Sequence, residues 1–144
     1  MASVRKSVLV PYSAAQMFEL VERIEDYPRF LPWCGGATIL ERTAEETLAR
    51  IDINYRGVRA HFTTANREQP PERIVIELRD GPFRQLDGTW QFRALGPAGS
   101  KVGLELEYAF GTATLERLIG PVFGHIARTL VDAFVRRAEA VYRT

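Results

Sequence analysis

Nucleophilic chemistry in this chain would have to start from Cys34, or from a serine, held beside a histidine base, because an unassisted thiol or hydroxyl reacts poorly at neutral pH. The chain has one cysteine and two histidines, His61 and His125. His61 falls on the outward phase of an alternating segment, where a solvated residue is the simpler reading. His125 lies beside Ile126 in a helical pattern and is either buried and hydrogen-bonded or exposed. A Cys34–His125 dyad would need the segment around Cys34 to lie against that helix, and a third group to orient the imidazole. No such group is identified, and Cys34 reads more simply as a small packing residue. Two histidines and one thiol without close spacing make no zinc site. No glycine-rich loop follows a strand and opens a helix, so phosphate has no cradle. Asp52 with Glu105 or Glu107 could form an acid–base pair, but all three occupy the polar phase of their strands, where solvated charges belong. The expectation is a binding protein with no catalytic residues, no metal and no cofactor.

The residues that stand out are apolar. Tyr27, Phe30, Leu31 and Trp33 crowd a segment that Pro28 and Pro32 keep from becoming a helix interior or a central strand. Connecting segments are normally polar and run over the surface. An aromatic one either plugs a core, forms the lip of an apolar cavity, or meets another body. Placed near one end of a cleft, close to Gly120-Pro121, Phe30, Leu31 and Trp33 would act as gate residues.

The rest of the chain must position this segment. At 144 residues and a net charge of +1, it reads as one soluble domain, 1–144, with no global field to attract nucleic acid or anionic lipid. A single cysteine forbids an intrachain disulfide, which suits a reducing compartment. The N-terminus carries no signal-peptide pattern and no run approaches a membrane span. A cytoplasmic location, with at most peripheral contact at the inner membrane, is expected.

Residues 4–10 read as a strand. Ser13 and Gln16 make a capping box, and Met17, Leu20, Val21 and Ile24 form one helical face that Tyr27-Pro28 should end. From residue 37 the period becomes two. Ala49, Ile51, Ile53 and Tyr55, then Val58, Ala60, Phe62 and Thr64, mark a hairpin turned by Arg56-Gly57. Three more strands carry Ile74, Ile76 and Leu78, then Leu86, Trp90 and Phe92, then Val102 to Phe110. Gly88 suggests a bulge or bend. Thr114 should open a terminal helix, kinked or restarted at Gly120-Pro121, whose wide apolar stripe fits a concave sheet.

This order resembles the α+β helix-grip fold of START and birch-pollen-allergen-like domains, a curved antiparallel sheet wrapped around a long C-terminal helix. Three stretches narrow it: Tyr27-Pro28-Arg29-Phe30-Leu31-Pro32-Trp33-Cys34, the run from Gly81-Pro82-Phe83 to Trp90-Gln91-Phe92, and Gly120-Pro121-Val122-Phe123 followed by Val131-Asp132-Ala133-Phe134. Together they resemble the bacterial RatA family, relatives of the mitochondrial coenzyme-Q-binding proteins within the polyketide cyclase/dehydrase and lipid transport superfamily. What the resemblance implies is divided. Mitochondrial relatives bind ubiquinone and support respiration, a bacterial relative is a toxin that blocks ribosomal subunit association, and the cyclase label belongs to more distant polyketide aromatases.

Carried onto this chain, the first implication makes Phe30, Leu31, Trp33, Tyr55, Phe62, Trp90, Tyr108, Phe123, Ile126 and Leu130 the expected ligand contacts, with Tyr55 and Tyr108 as hydroxyls for a quinone carbonyl. Burying an apolar tail gains about 25 cal/mol per Å², so few polar contacts are required. The second makes the large ribosomal subunit a partner and Arg50, Arg56 and Arg59 its contacts, aided by Arg128, Arg136, Arg137 and Arg143 on the helix. The third would need turnover of a poly-β-keto chain. A monomer is expected in each case.

Overall fold

A computed structural model describes residues 2–142; Arg143 lies outside them. β1 (Ala2–Val10) leads to α1 (Ala14–Glu22). The Ser13 hydroxyl accepts from the Gln16 amide at 3.1 Å, and the Gln16 side chain accepts from the Ser13 amide at 2.9 Å. That reciprocal pair satisfies two of the donors a helix start leaves unpaired. α1 ends sooner than expected, because Arg23 takes φ −80° and ψ 70°, outside the helical region. Ile24–Arg29 then forms a 3₁₀ turn with Pro28 inside it.

Six strands follow: β2 (Cys34–Arg42), β3 (Glu46–Tyr55), β4 (Val58–Gln69), β5 (Arg73–Asp80), β6 (Phe83–Ala94) and β7 (Ser100–Phe110). All pairs are antiparallel, and β1 closes onto β7 to give the order β1-β7-β6-β5-β4-β3-β2. The β3–β4 hairpin turns as read, with Tyr55 opposite Val58. Arg56 and Gly57 take φ of 50° and 82°, the left-handed pair that matches the twist of the flanking strands. Register shifts fall at Cys34/Gly36, Ile39/Glu41, Thr63/Thr64 and Phe83/Gln85, where they bend the sheet. Gly88 is not among them. It pairs in register with Ile76 and Leu106, and a Cβ there would sit 2.5 Å from Leu106 Cδ2. The glycine admits a close side-chain approach rather than a bulge.

α2 (Ala113–Tyr142) crosses the concave face. Thr112, one turn position earlier than Thr114 would place the start, caps it by accepting from the Leu115 amide at 3.1 Å. Pro121 lies inside the helix without restarting it. Both Pro121 and Arg117, whose carbonyl loses its partner, lie on the exposed side of the helix. Ile119, Val122, Phe123, Ile126, Val131, Phe134 and Ala138 are buried on the sheet side. Lys6 Nζ meets Asp132 Oδ2 at 2.7 Å, and the Tyr142 hydroxyl donates to the Gln16 carbonyl at 3.0 Å, tying α2 to β1 and α1. The expectation that no stretch reaches the composition of a membrane span needs correcting for α2. It is long and apolar enough by composition, yet half of its most apolar window is buried inside the protein.

Candidate functional site

The concave face is filled mainly by two aromatic clusters. Toward the start of α2, Phe123 packs edge-on to Tyr108, Phe83 and Phe62 at centroid distances of 4.7, 4.8 and 6.2 Å. Toward its end, Phe134 meets Tyr27, Phe30 and Trp90 at 5.4, 5.3 and 5.3 Å. Between the clusters α2 and the curved sheet leave a cavity of about 80 Å³. Its wall includes Ile24, Tyr27, Trp33, Ile51, Phe62, Ile76, Leu86, Leu106, Phe123, Ile126, Leu130 and Phe134, and its polar groups are the Thr64 and Asn66 side chains, the Tyr27 phenol and the Trp33 indole N–H. The volume is about a quarter of the low end of small-molecule sites, which span roughly 300–1,000 Å³. A ligand of ordinary size therefore requires the wall to move outward.

Of the expected contacts, Trp33, Phe62, Phe123, Ile126 and Leu130 converge on this cavity. The others stand elsewhere. Trp90, 2% exposed, stacks on Phe92 at 6.1 Å and is spent on core packing. Tyr108 is buried behind Phe83 and Phe123; burial raises its phenol pKa, partly offset by Arg128. Tyr55 lies at the hairpin tip, its ring parallel to His125 at 5.6 Å, with the Arg56 guanidinium 5.1 Å from its centroid. Neither Tyr55 nor Tyr108 borders the cavity.

The aromatic segment is held tightly. The amide of Leu31 donates to the Tyr27 carbonyl at 2.9 Å, that of Cys34 to Leu31 at 3.0 Å, and that of Asn54 to Trp33 at 2.9 Å. Leu31 is 1% exposed and does not touch the cavity. Phe30 is half-buried on Phe134, with Arg137 5.0 Å over its other side. The segment thus docks on the Phe134–Arg137 end of α2, not near Gly120-Pro121, because its rings find partners only there. Tyr27 and Trp33 form part of the cavity wall; Phe30 lies outside it, and Leu31 is a plug.

The Cys34–His125 dyad is not formed. Cys34 is buried at the start of β2 opposite Ile53, its thiol donates to the Gly36 carbonyl at 3.3 Å, and burial pushes its pKa up to about 11. His125 is exposed and committed to Tyr55. Asp52 pairs with Arg50 at 3.0 Å and Glu105 with Arg5 at 3.4 Å, four strands apart in the sheet. Among the described residues no three metal-ligating side chains converge.

Thr64 belongs to the alternating row read from the sequence but is not among the expected ligand contacts, and Asn66 is new. The available signal was their phase: both share the inward face of β4 with Phe62, where polar side chains are uncommon. A further polar group continues that face. Thr47, opposite Asn66, donates to Glu68 at 2.6 Å. Glu68 in turn shares a hydrogen bond with Glu22, which together with burial and the Glu68 charge pushes Glu22 up to about 7, against the pull of Arg42.

On the convex side, Arg50, Asp52, Asn54, Arg59 and His61 line a shallow groove of about 360 Å³ with Gly35. Arg50 is neutralised by Asp52. Arg56 and Arg59 are exposed and have no acidic partner within ion-pair distance among the described residues.

Residues 10–135 match the family model for polyketide cyclase/dehydrase and lipid transport proteins. The chain is 41% identical to the ribosome association toxin RatA of Vibrio cholerae over 99% of both chains. It is 24% identical to the mitochondrial coenzyme Q-binding protein of Schizosaccharomyces pombe, covering 96% of this chain and 88% of that one. Its backbone superimposes on the Zhui aromatase/cyclase of Streptomyces with a TM-score of 0.87 at 16% identity, covering 99% and 96% of the two chains. A START superfamily protein of Mycobacterium smegmatis gives 0.76 at 26%, covering 96% and 98%. The aromatase likeness concerns the fold alone. With its helix-grip architecture and a full-length match at this identity, the chain belongs to the polyketide cyclase/dehydrase and lipid transport family, in the RatA group of START-like proteins.

Proposed function

We propose that this protein binds a slender hydrophobic molecule between its sheet and α2, and that the ligand is an isoprenoid quinone such as ubiquinone, carried without covalent chemistry. The observation that supports this reading is the cavity itself: an apolar wall continuous from sheet to helix, interrupted by one small buried polar pair. A void left in a core normally costs stability in proportion to its volume, so a retained one between two well-packed aromatic clusters favours a binding role. Its present volume implies that α2 and the aromatic segment part to admit a ring, with a tail leaving along the helix and transient contact with a membrane surface during loading. Organic extraction of purified protein, followed by absorbance and mass analysis, should recover a quinone. Titration with a short-chain quinone should shift amide signals of Phe62, Ile126 and Leu130. No copurified lipid together with no shifts at these residues would overturn the proposal.

A second reading, association with the large ribosomal subunit, is favoured by the name of the relative with 41% identity over nearly the whole chain. Arg56 and Arg59, exposed and unpaired, supply phosphate-binding cations suited to RNA. The purified protein should co-sediment with large subunits at low salt and dissociate as salt rises. Arg56→Glu with Arg59→Glu should abolish co-sedimentation and leave quinone binding intact. Absence of the wild-type protein from the large-subunit fraction would rule this reading out.

A further inference from the structure

We propose that Thr64 and Asn66 are the polar anchor of the cavity, and that Asn66 donates a hydrogen bond to a neutral carbonyl oxygen of the ligand. This rests on the reading that the cavity holds an apolar molecule, and it specifies which chemical class that molecule belongs to. Thr64 is 4% and Asn66 9% exposed, and both face the cavity from the inner side of β4. The Thr64 hydroxyl donates to Asn66 Oδ1 at 3.0 Å. This fixes the amide so that its nitrogen, with two hydrogens, points away from Thr64.

The neighbours that could take those hydrogens are committed. Thr47, directly across the strand pair, spends its hydroxyl on Glu68 at 2.6 Å. The Tyr27 hydroxyl donates to the Val21 carbonyl. No side-chain acceptor meets Asn66 Nδ2 among the described residues, yet no fully occluded side-chain polar atom there lacks a partner. Asn66 Nδ2 must therefore face open space, and the space it borders is the cavity. Leaving an amide donor unpaired in an apolar wall is unfavourable. A site for a plain hydrocarbon tail would be better served by leucine or valine at both positions.

The chemistry selects further. What faces the cavity is a donor, so the ligand atom is an acceptor. No arginine or lysine borders the cavity, so a carboxylate head group would enter unneutralised at a high desolvation cost. A ketone or quinone carbonyl, neutral and a good acceptor, fits; a fatty acid does not. The tyrosine hydroxyls of Tyr55 and Tyr108 play no part in this anchor.

The test compares duroquinone with durene, rings of the same methylation that differ by the two carbonyl oxygens. Both are titrated by NMR into the wild type, Asn66→Leu and Thr64→Val/Asn66→Val. The wild type should prefer duroquinone by about fivefold, the worth of one neutral hydrogen bond. Both variants should lose that preference, and Asn66→Leu should bind durene at least as well as the wild type does. The carbonyl stretch of bound duroquinone should lie lower in frequency in the wild type than in Asn66→Leu. If Asn66→Leu does not fold, Thr64→Val/Asn66→Val, two β-branched residues suited to a strand, removes both donors without adding a charge. Equal wild-type affinity for both rings, or a preference that survives both substitutions, overturns the anchor while leaving the cavity reading intact. Failure of both rings to bind overturns the cavity reading and the anchor with it.

Discussion

Replacing Glu22 by glutamine should remove a pH dependence of stability that runs opposite to ordinary acid denaturation. Glu22 holds its proton up to about pH 7, against an ordinary 4.5, chiefly through its hydrogen bond to Glu68. The folded state therefore binds more protons than the unfolded chain between these values. The resulting stability is complete below about pH 4.5 and is lost as pH rises through about 7. Taken at face value the shift corresponds to about 3 kcal/mol. Both carboxyls are only partly buried, and solvent screening brings the expected effect to about 1 kcal/mol. Glutamine keeps an amide donor for Glu68 but cannot ionise. Urea unfolding followed by the fluorescence of Trp33 and Trp90 should give similar midpoints for the two proteins at pH 4.5. At pH 8 Glu22→Gln should be the more stable, by about 1 kcal/mol. Glu25 runs the other way, its pKa lowered first by the hydrogen bond from Arg42. Its contribution is present above its ordinary value and lost on acidification, and it cancels in the comparison. Parallel stability curves from pH 5 to pH 8, or a less stable variant at pH 8, would refute the assignment of a shared proton to Glu22 and Glu68.

Two further substitutions probe the cavity wall. Gly88→Ala places a methyl 2.5 Å from Leu106 Cδ2 and 3.4 Å from Ile76 Cδ1. Both side chains border the cavity, so they can swing into it, and chemical denaturation should show a loss of about 1 kcal/mol, the low end of overpacking costs, with weaker duroquinone binding. Phe134→Ala removes a ring that is 1% exposed and packs on Tyr27, Phe30 and Trp90. It should cost about 3–5 kcal/mol, free the aromatic segment for faster amide exchange at Leu31 and Cys34, and let the cavity take larger apolar probes.

Much of this arrangement was legible locally. The Ser13–Gln16 capping box, the Arg56-Gly57 turn and the inward rows of β3, β4 and β7 each depend on residues within a few positions of one another, and each formed where it was read. Errors arose where a local signal had more than one spatial meaning. Gly88 could mark a bulge or a close packing partner, and only Leu106 on the neighbouring strand distinguishes them. Pro121 could restart the helix or be carried within it, and α2 runs through it without a restart.

The sequence by itself determined the order of elements and the face each strand turns inward, because alternation and helical spacing are properties of neighbours along the chain. The tertiary structure alone decided which inward residues meet open space. Trp90, Tyr55 and Tyr108 share the phase of Phe62, yet their rings are consumed by Phe92, His125 and Phe123, and the gap remains beside Thr64 and Asn66. That outcome depends on how α2 settles across the bent sheet, and on the aromatic segment docking at Phe134 and Arg137 rather than at Pro121. Cavities are differences between large filled volumes, so they emerge only once distant side chains have been packed together.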